Sequence, residues 1–100
     1  MATLTKALAR TAAATSSTTL YTVPSSTTTV VTNIVVTNSA STAATFTITL
    51  DAVDLFKDVA IAANSTAMFD LKQVLATTKI IAGLASATTV RFHISGVEVS

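Results

Sequence analysis

The chain has no cysteine and no tryptophan, and its 100 residues include one proline and two glycines. The lack of cysteine excludes disulfides and thiolate-held metals. The shortage of glycine and proline leaves turn-making to Asn, Asp and Ser. Charge is scarce as well. Asp, Glu, Lys and Arg total 11%, against about 25% in an ordinary soluble domain. The formal net charge is +1, and the six basic residues are spread along the chain. Phosphate binding needs a clustered basic surface, so nucleic acid is not an expected partner. No apolar run approaches the roughly 20 residues that a membrane-crossing helix needs. Lys6 and Arg10 interrupt what would be the apolar region of a secretory signal. No membrane partner is expected.

What the chain does have is threonine, serine and alanine. Thr and Ser together number 31, and Ala supplies 18 of the 50 hydrophobic residues. One hundred residues make one domain with at most a short arm, enough to bury roughly 60–70% of the surface the unfolded chain exposes. A net charge this small gives little repulsion between copies. One reading is that much of the polar, uncharged surface is covered by identical copies or a partner. The other is a threonine-covered domain that tolerates low charge.

The clearest local signal is Ala44-Thr45-Phe46-Thr47-Ile48-Thr49-Leu50, where apolar residues and threonines alternate. Side chains alternate across a strand, so this segment has one greasy face and one hydroxyl face. The branched Cβ of threonine also favours extended backbone. The greasy face belongs on a core, and the Thr45, Thr47 and Thr49 face is a candidate for packing against another subunit.

Residues 1–17 differ from the rest. Leu4, Ala7 and Leu8 could line one side of a short helix, with Lys6 and Arg10 elsewhere, and the alanine-rich run beyond permits a helix without requiring one. A helix this short is marginal alone, so the stretch reads as an arm that orders on a neighbour or as a frayed tail. The main domain then spans 18–100. Thr18 to Val23 is a strand with Leu20 as its expected core residue, and Pro24-Ser25-Ser26 turns the chain. Thr28 to Asn38 has apolar residues on both parities, as in a central strand covered on both faces or lying partly at a subunit contact. Asp51-Ala52-Val53-Asp54 is a hairpin connection. The next strand, from Leu55 to Ile61, carries Lys57 as a guard against edge pairing.

Beyond the Asn64 turn, Ala67, Phe69 and Leu71 resume the alternation. Leu71, Val74 and Leu75 have helical spacing, which predicts a helical turn near 70–76 with Asp70 as its N-cap. Lys79 to Leu84 is a short strand. Thr88 to Val99 is the last, and its apolar parity changes after Gly96, the signature of a β-bulge. Seven strands at short, even spacing indicate an all-β, antiparallel β-sandwich of jelly-roll-like or immunoglobulin-like topology.

Sites for chemistry are few. His93 is the sole histidine, flanked on its face by Arg91 and Ser95. A Ser-His-Asp arrangement needs a carboxylate to orient the base, and no acidic residue lies within two positions on that face. Asp51, Asp54 and Asp58 match no calcium-loop spacing and read as polar turn residues. Asn64-Ser65-Thr66 fits a glycosylation acceptor and reads as a turn. Tyr21, Phe46, Phe56, Phe69 and Phe92 sit in strand patterns, as core residues do. No catalytic residue, cofactor or metal is expected, and the chain does not read as an enzyme.

The runs Leu20-Tyr21-Thr22-Val23-Pro24 and Thr28-Thr29-Val30-Val31-Thr32-Asn33-Ile34-Val35-Val36-Thr37-Asn38 resemble small β-sandwich structural proteins of tailed bacteriophage particles. Asn64-Ser65-Thr66, Phe69-Asp70-Leu71 and Ile94-Ser95-Gly96-Val97-Glu98-Val99 are similar to later parts of that pattern, which covers about residues 18–99. Ser25-Ser26 and Asp51-Ala52 stand where the pattern has glycine. The resemblance implies a non-enzymatic protein of the virion, most simply a capsid decoration protein. Such a protein would stabilise the head as a homo-oligomer, with itself and a major capsid or other structural protein as partners. The alternative it implies is a tail, collar or fibre component that binds a receptor or carbohydrate. For assembly, the expected contacts are Leu4, Leu8 and Arg10 of the arm and Thr45, Thr47 and Thr49 of the hydroxyl face.

Overall fold

A computed structural model describes residues 2–100. Among them, eight strands form two four-stranded sheets: β1 (Thr3–Ala12), β2 (Thr18–Thr22), β3 (Thr28–Asn38), β4 (Ala44–Leu50), β5 (Val53–Ile61), β6 (Ser65–Leu75), β7 (Ile80–Ala85) and β8 (Val90–Val99). One sheet runs β1-β8-β3-β6 and the other β2-β7-β4-β5, with every pairing antiparallel. Apart from the β4–β5 hairpin, each connection crosses from one sheet to the other, which makes the sandwich a jelly roll rather than an immunoglobulin-like fold.

Alternation places the core. Ala44, Phe46, Ile48 and Leu50 of β4 are buried, as are Val90, Phe92 and Ile94 of β8. Phe46 sits at the centre of the aromatic packing, with its ring centroid 6.0 Å from Phe56, 6.2 Å from Phe69 and 6.2 Å from Phe92. Phe56 and Phe69, 4.5 Å apart, close the β5–β6 side of the sandwich.

Three expectations change. The stretch near 70–76 is not a helical turn but the end of the continuous strand β6, which pairs with β3 as far as Leu75↔Thr29. Leu71 and Leu75 keep strand parity and Val74 faces outward, so long-range pairing with β3 overrides a local helical spacing. Residues 3–12 are likewise not helical. They form β1, the edge strand paired with β8. Thirdly, β8 is not bulged at Gly96: Gly96 and Glu98 continue the inward row of Phe92 and Ile94, and the apolar Val97 and Val99 face outward. The extra residues lie in its neighbours. Leu8 of β1 is bulged opposite Ile94 and Ser95, and Thr32 of β3 opposite Ser95 and Gly96. The bulge at Thr32 also explains the two apolar parities of β3: Thr29 and Val31 face inward before it, and Ile34, Val36 and Asn38 after it.

The two glycines are used for room. A Cβ on Gly96 would collide with the Val30 carbonyl and lie 2.9 Å from Leu8 Cδ1. A Cβ on Gly83 would lie 3.0 Å from Cδ1 of Leu20, the bulged residue of β2. Each glycine therefore receives a leucine from the adjacent edge strand. Left-handed backbone falls instead to Ser26, Asp51, Ala52, Asp58, Asn64 and Thr78. Asn, Asp and Ser supply four of these six positions, as expected, and Ala52 and Thr78 supply the rest. Asp51 and Ala52, with φ of 54° and 61°, make the primed turn that a two-residue hairpin requires.

Candidate assembly surface

The outward row of β4 is the hydroxyl face anticipated from alternation. Its neighbours in register extend it: Thr49 lies beside Ala82 of β7, which lies beside Thr19 of β2, and Thr47 lies beside Leu84. No charged residue occurs in β2, β7 or β4. The charges of this sheet, Asp54, Lys57 and Asp58, are confined to β5 at its edge. The result is an uncharged three-strand face on which Thr19 and Thr22 are exposed, Thr45, Thr49, Ile80 and Leu84 are half-buried, and Ala82 is buried.

Thr45 and Thr49 are half-buried on this face, but Thr47 is only 4% exposed. Its Oγ1 accepts the N–H of Asp58 at 3.0 Å and donates to Asp58 Oδ1 at 3.4 Å. Asp58 has φ of 47°, in a bulge where Lys57 and Asp58 oppose the single Thr47. Thr47 thus holds an irregular edge in place and offers little surface to a partner.

The other expected contacts do not join this face. Leu8 is buried in the core, and Leu4 is 56% exposed on the inward side of β1, in register with Glu98. Arg10 lies on the outer face of the opposite sheet, beside His93. Ala82, Leu84 and Thr19 were not singled out from sequence. The signal available was Ile80-Ile81-Ala82-Gly83-Leu84-Ala85, uncharged and apolar on both parities.

His93 and Arg91 are exposed on the outer face of the β1-containing sheet, and Arg91 Nη1 donates to Ser39 Oγ at 3.0 Å. The register neighbours of His93 are Arg10 and Val35, and no hydrogen bond joins it to Ser95 among the described residues. Asp51 pairs with Lys79 at 3.6 Å across adjoining turns, while Asp58 is held by Thr47. Among the described residues no three of His, Asp or Glu converge. A shallow groove of about 260 Å³ runs between β1 and β2, lined by Ala9, Arg10, Thr11, Thr18 and Leu20 among others.

Two polar clusters that sequence reasoning did not single out hold the two ends together. At the end bearing the termini, the Tyr21 hydroxyl of β2 hydrogen-bonds across the sandwich to Glu98 of β8 and to Thr29 of β3 at 2.9 Å. Lys6 of β1 reaches the same Glu98 oxygen at 3.5 Å. Burial, followed by the hydrogen bond with Glu98, pushes the Tyr21 phenol above its usual range. At the other end, buried Asn38 donates to the carbonyls of Thr42 (2.9 Å) and Ala62 (3.4 Å), and accepts from Ala40 N–H and Thr89 Oγ1, each at 3.1 Å. It ties three loops to the core. Comparison of the chain with protein-family models, with curated proteins and with solved structures finds no match.

Proposed function

We propose that this chain is a non-enzymatic structural protein of a phage particle, most simply a decoration protein that stabilises the head as a homo-oligomer. The observation that carries this reading is the uncharged face of β2, β7 and β4. Three adjacent strands presenting Thr, Ile and Leu without a charge lose little on desolvation, because no ion has to leave water. The neutral composition of the whole chain and the pattern resemblance along residues 18–99 point the same way. Many copies binding only the assembled shell stabilise it by mass action, by about 2.7 kcal/mol per site at a hundredfold excess over Kd. The alternative, a glycan- or receptor-binding tail component, calls for exposed rings. Here the four phenylalanines pack with one another and Tyr21 is buried.

The test is sedimentation of the purified chain across concentration, together with binding to assembled, undecorated phage shells. The double variant Thr45→Lys/Thr49→Lys is the control, since both positions are half-buried and make no side-chain hydrogen bond to the core. The expected result is an oligomer that binds shells, with both properties lost in the variant while its melting transition stays in place. A wild-type chain that remains monomeric and ignores shells overturns the proposal.

A further inference from the structure

The strand that buries least of itself in the core for its length is β1. Of its ten residues only Leu8 is buried, and Leu4, on the inward side, is left 56% exposed. The other edge strands contribute more: β2 brings Tyr21, and β5 and β6 bring Phe56, Ile61, Phe69 and Leu75. β1 is nonetheless specific. It pairs with β8 over nine register positions, seats Leu8 against Gly96 and places Lys6 on Glu98. Ala13 N–H then donates to the Val90 carbonyl, and the Ala14 carbonyl accepts from Ala85 N–H. The next three residues, Thr15, Ser16 and Ser17, are exposed and lead into β2.

From this we infer that β1 is an exchangeable strand, which leaves its own β8 and pairs with β8 of a second copy of the chain. The inference rests on the homo-oligomer reading above and names the contact that makes it. The occupant is defined by the closed chain itself. The backbone ladder, the leucine in the glycine's space and the Lys6–Glu98 pair are all remade between copies, so exchange costs few contacts. Residues 15–17 span about 10 Å when extended, enough to carry β1 onto an adjacent subunit. Because the closed and exchanged forms have the same local contacts, effective concentration decides between them. A surface with little charge, or a shell that gathers copies, raises that concentration.

Register supplies the test. Ala2 and Ser100 exchange both backbone hydrogen bonds, so by alternation Thr5↔Val97 is a non-hydrogen-bonded pair on the outer face. Such pairs bring Cα atoms to about 4.5 Å, within disulfide reach. The single variants Thr5→Cys and Val97→Cys are refolded together as full chains, oxidised and resolved without reductant, and the same samples are sedimented. Exchange predicts a disulfide joining one chain of each kind, seen as a band at twice the chain mass that reduction abolishes. The double variant Thr5→Cys/Val97→Cys guards against inefficient mixing: its disulfide links chains if β1 is exchanged and closes within one chain if it is not. Oligomers with only intrachain disulfides overturn the exchange and leave the homo-oligomer reading standing. A Thr5→Cys homodisulfide in place of the mixed one signals edge-to-edge pairing and also overturns it. Monomers throughout overturn both readings.

Discussion

Leu8 Cδ1 lies 2.9 Å from the point where a Cβ on Gly96 would stand, so the bulged leucine of β1 fills the space that the glycine of β8 leaves open. The same Cβ would also run into the Val30 carbonyl, which as backbone in a central strand has little freedom to move. Gly96→Ala is therefore expected to destabilise the fold by about 3 kcal/mol, at the upper end of overpacking costs. Gly83→Ala meets Leu20 Cδ1 at 3.0 Å and Phe92 Cε2 at 3.2 Å, both of them side chains, and is expected to cost about 1–2 kcal/mol. Denaturant melts of the two variants check the order. Equal losses would show that side-chain and backbone obstacles yield alike.

Tyr21 is the sole tyrosine, and there is no tryptophan, so tyrosinate absorbance in an alkaline titration reports this residue alone. In the native chain its midpoint is expected above the ordinary value of 10.0. The sign for stability follows from linkage. A folded-state pKa raised above the unfolded one gives stability that is fully present below pH 10 and is lost as pH rises through the folded value. Tyr21→Phe should flatten that alkaline loss. It should also cost about 2 kcal/mol near neutral pH, because the buried hydrogen bond that the phenol donates to the Glu98 carboxylate is lost. A native midpoint at the free-phenol value would contradict the buried pairing.

Two turns hold non-glycine residues in left-handed backbone with no polar side chain suited to it. Ala52 has φ of 61° and the β-branched Thr78 has φ of 68°. That conformation costs an L-residue roughly 1–2 kcal/mol, which glycine avoids while losing about 0.5–1 kcal/mol more chain entropy. Ala52→Gly and Thr78→Asn are each expected to stabilise by about 0.5–1 kcal/mol. Denaturant midpoints should rise with unchanged slopes. A fall in midpoint would place those residues outside the left-handed region.

Asn38→Ala removes an amide with four hydrogen bonds at a position 2% exposed. The loss is expected to be about 2–4 kcal/mol, since the groups left behind are partly buried and unpaired. Hydrogen exchange should quicken first in loops 39–43, 62–64 and 86–89. Uniform acceleration across the strands would show instead that Asn38 supports the fold as a whole.

Much of the sandwich was legible in the order of residues. Strict alternation in β4 and in the first half of β8 placed Phe46, Ile48, Phe92 and Ile94 in the core. Period-2 patterning is dictated by strand geometry, whatever the partner strand. Scarcity of glycine correctly assigned turns to Asp51, Asn64 and Ser26. The uncharged outer row of β4 could be read as well, because facing is a property of one strand.

What only the tertiary structure decided is how strands meet. The parity change in β3 belongs to a bulge at Thr32, and the bulge expected in β8 lies instead in its neighbours at Leu8 and Thr32, because a bulge is defined by the partner strand. The end of β6 became a strand because β3 offered it a ladder, and residues 3–12 became β1 because β8 did. Thr47 passed from surface to support because the Asp58 bulge of β5 closed over it, and Tyr21 found Glu98 from 77 residues away. Spacing along one strand sets which way each side chain points. Which residues it then touches depends on pairings that no local pattern contains.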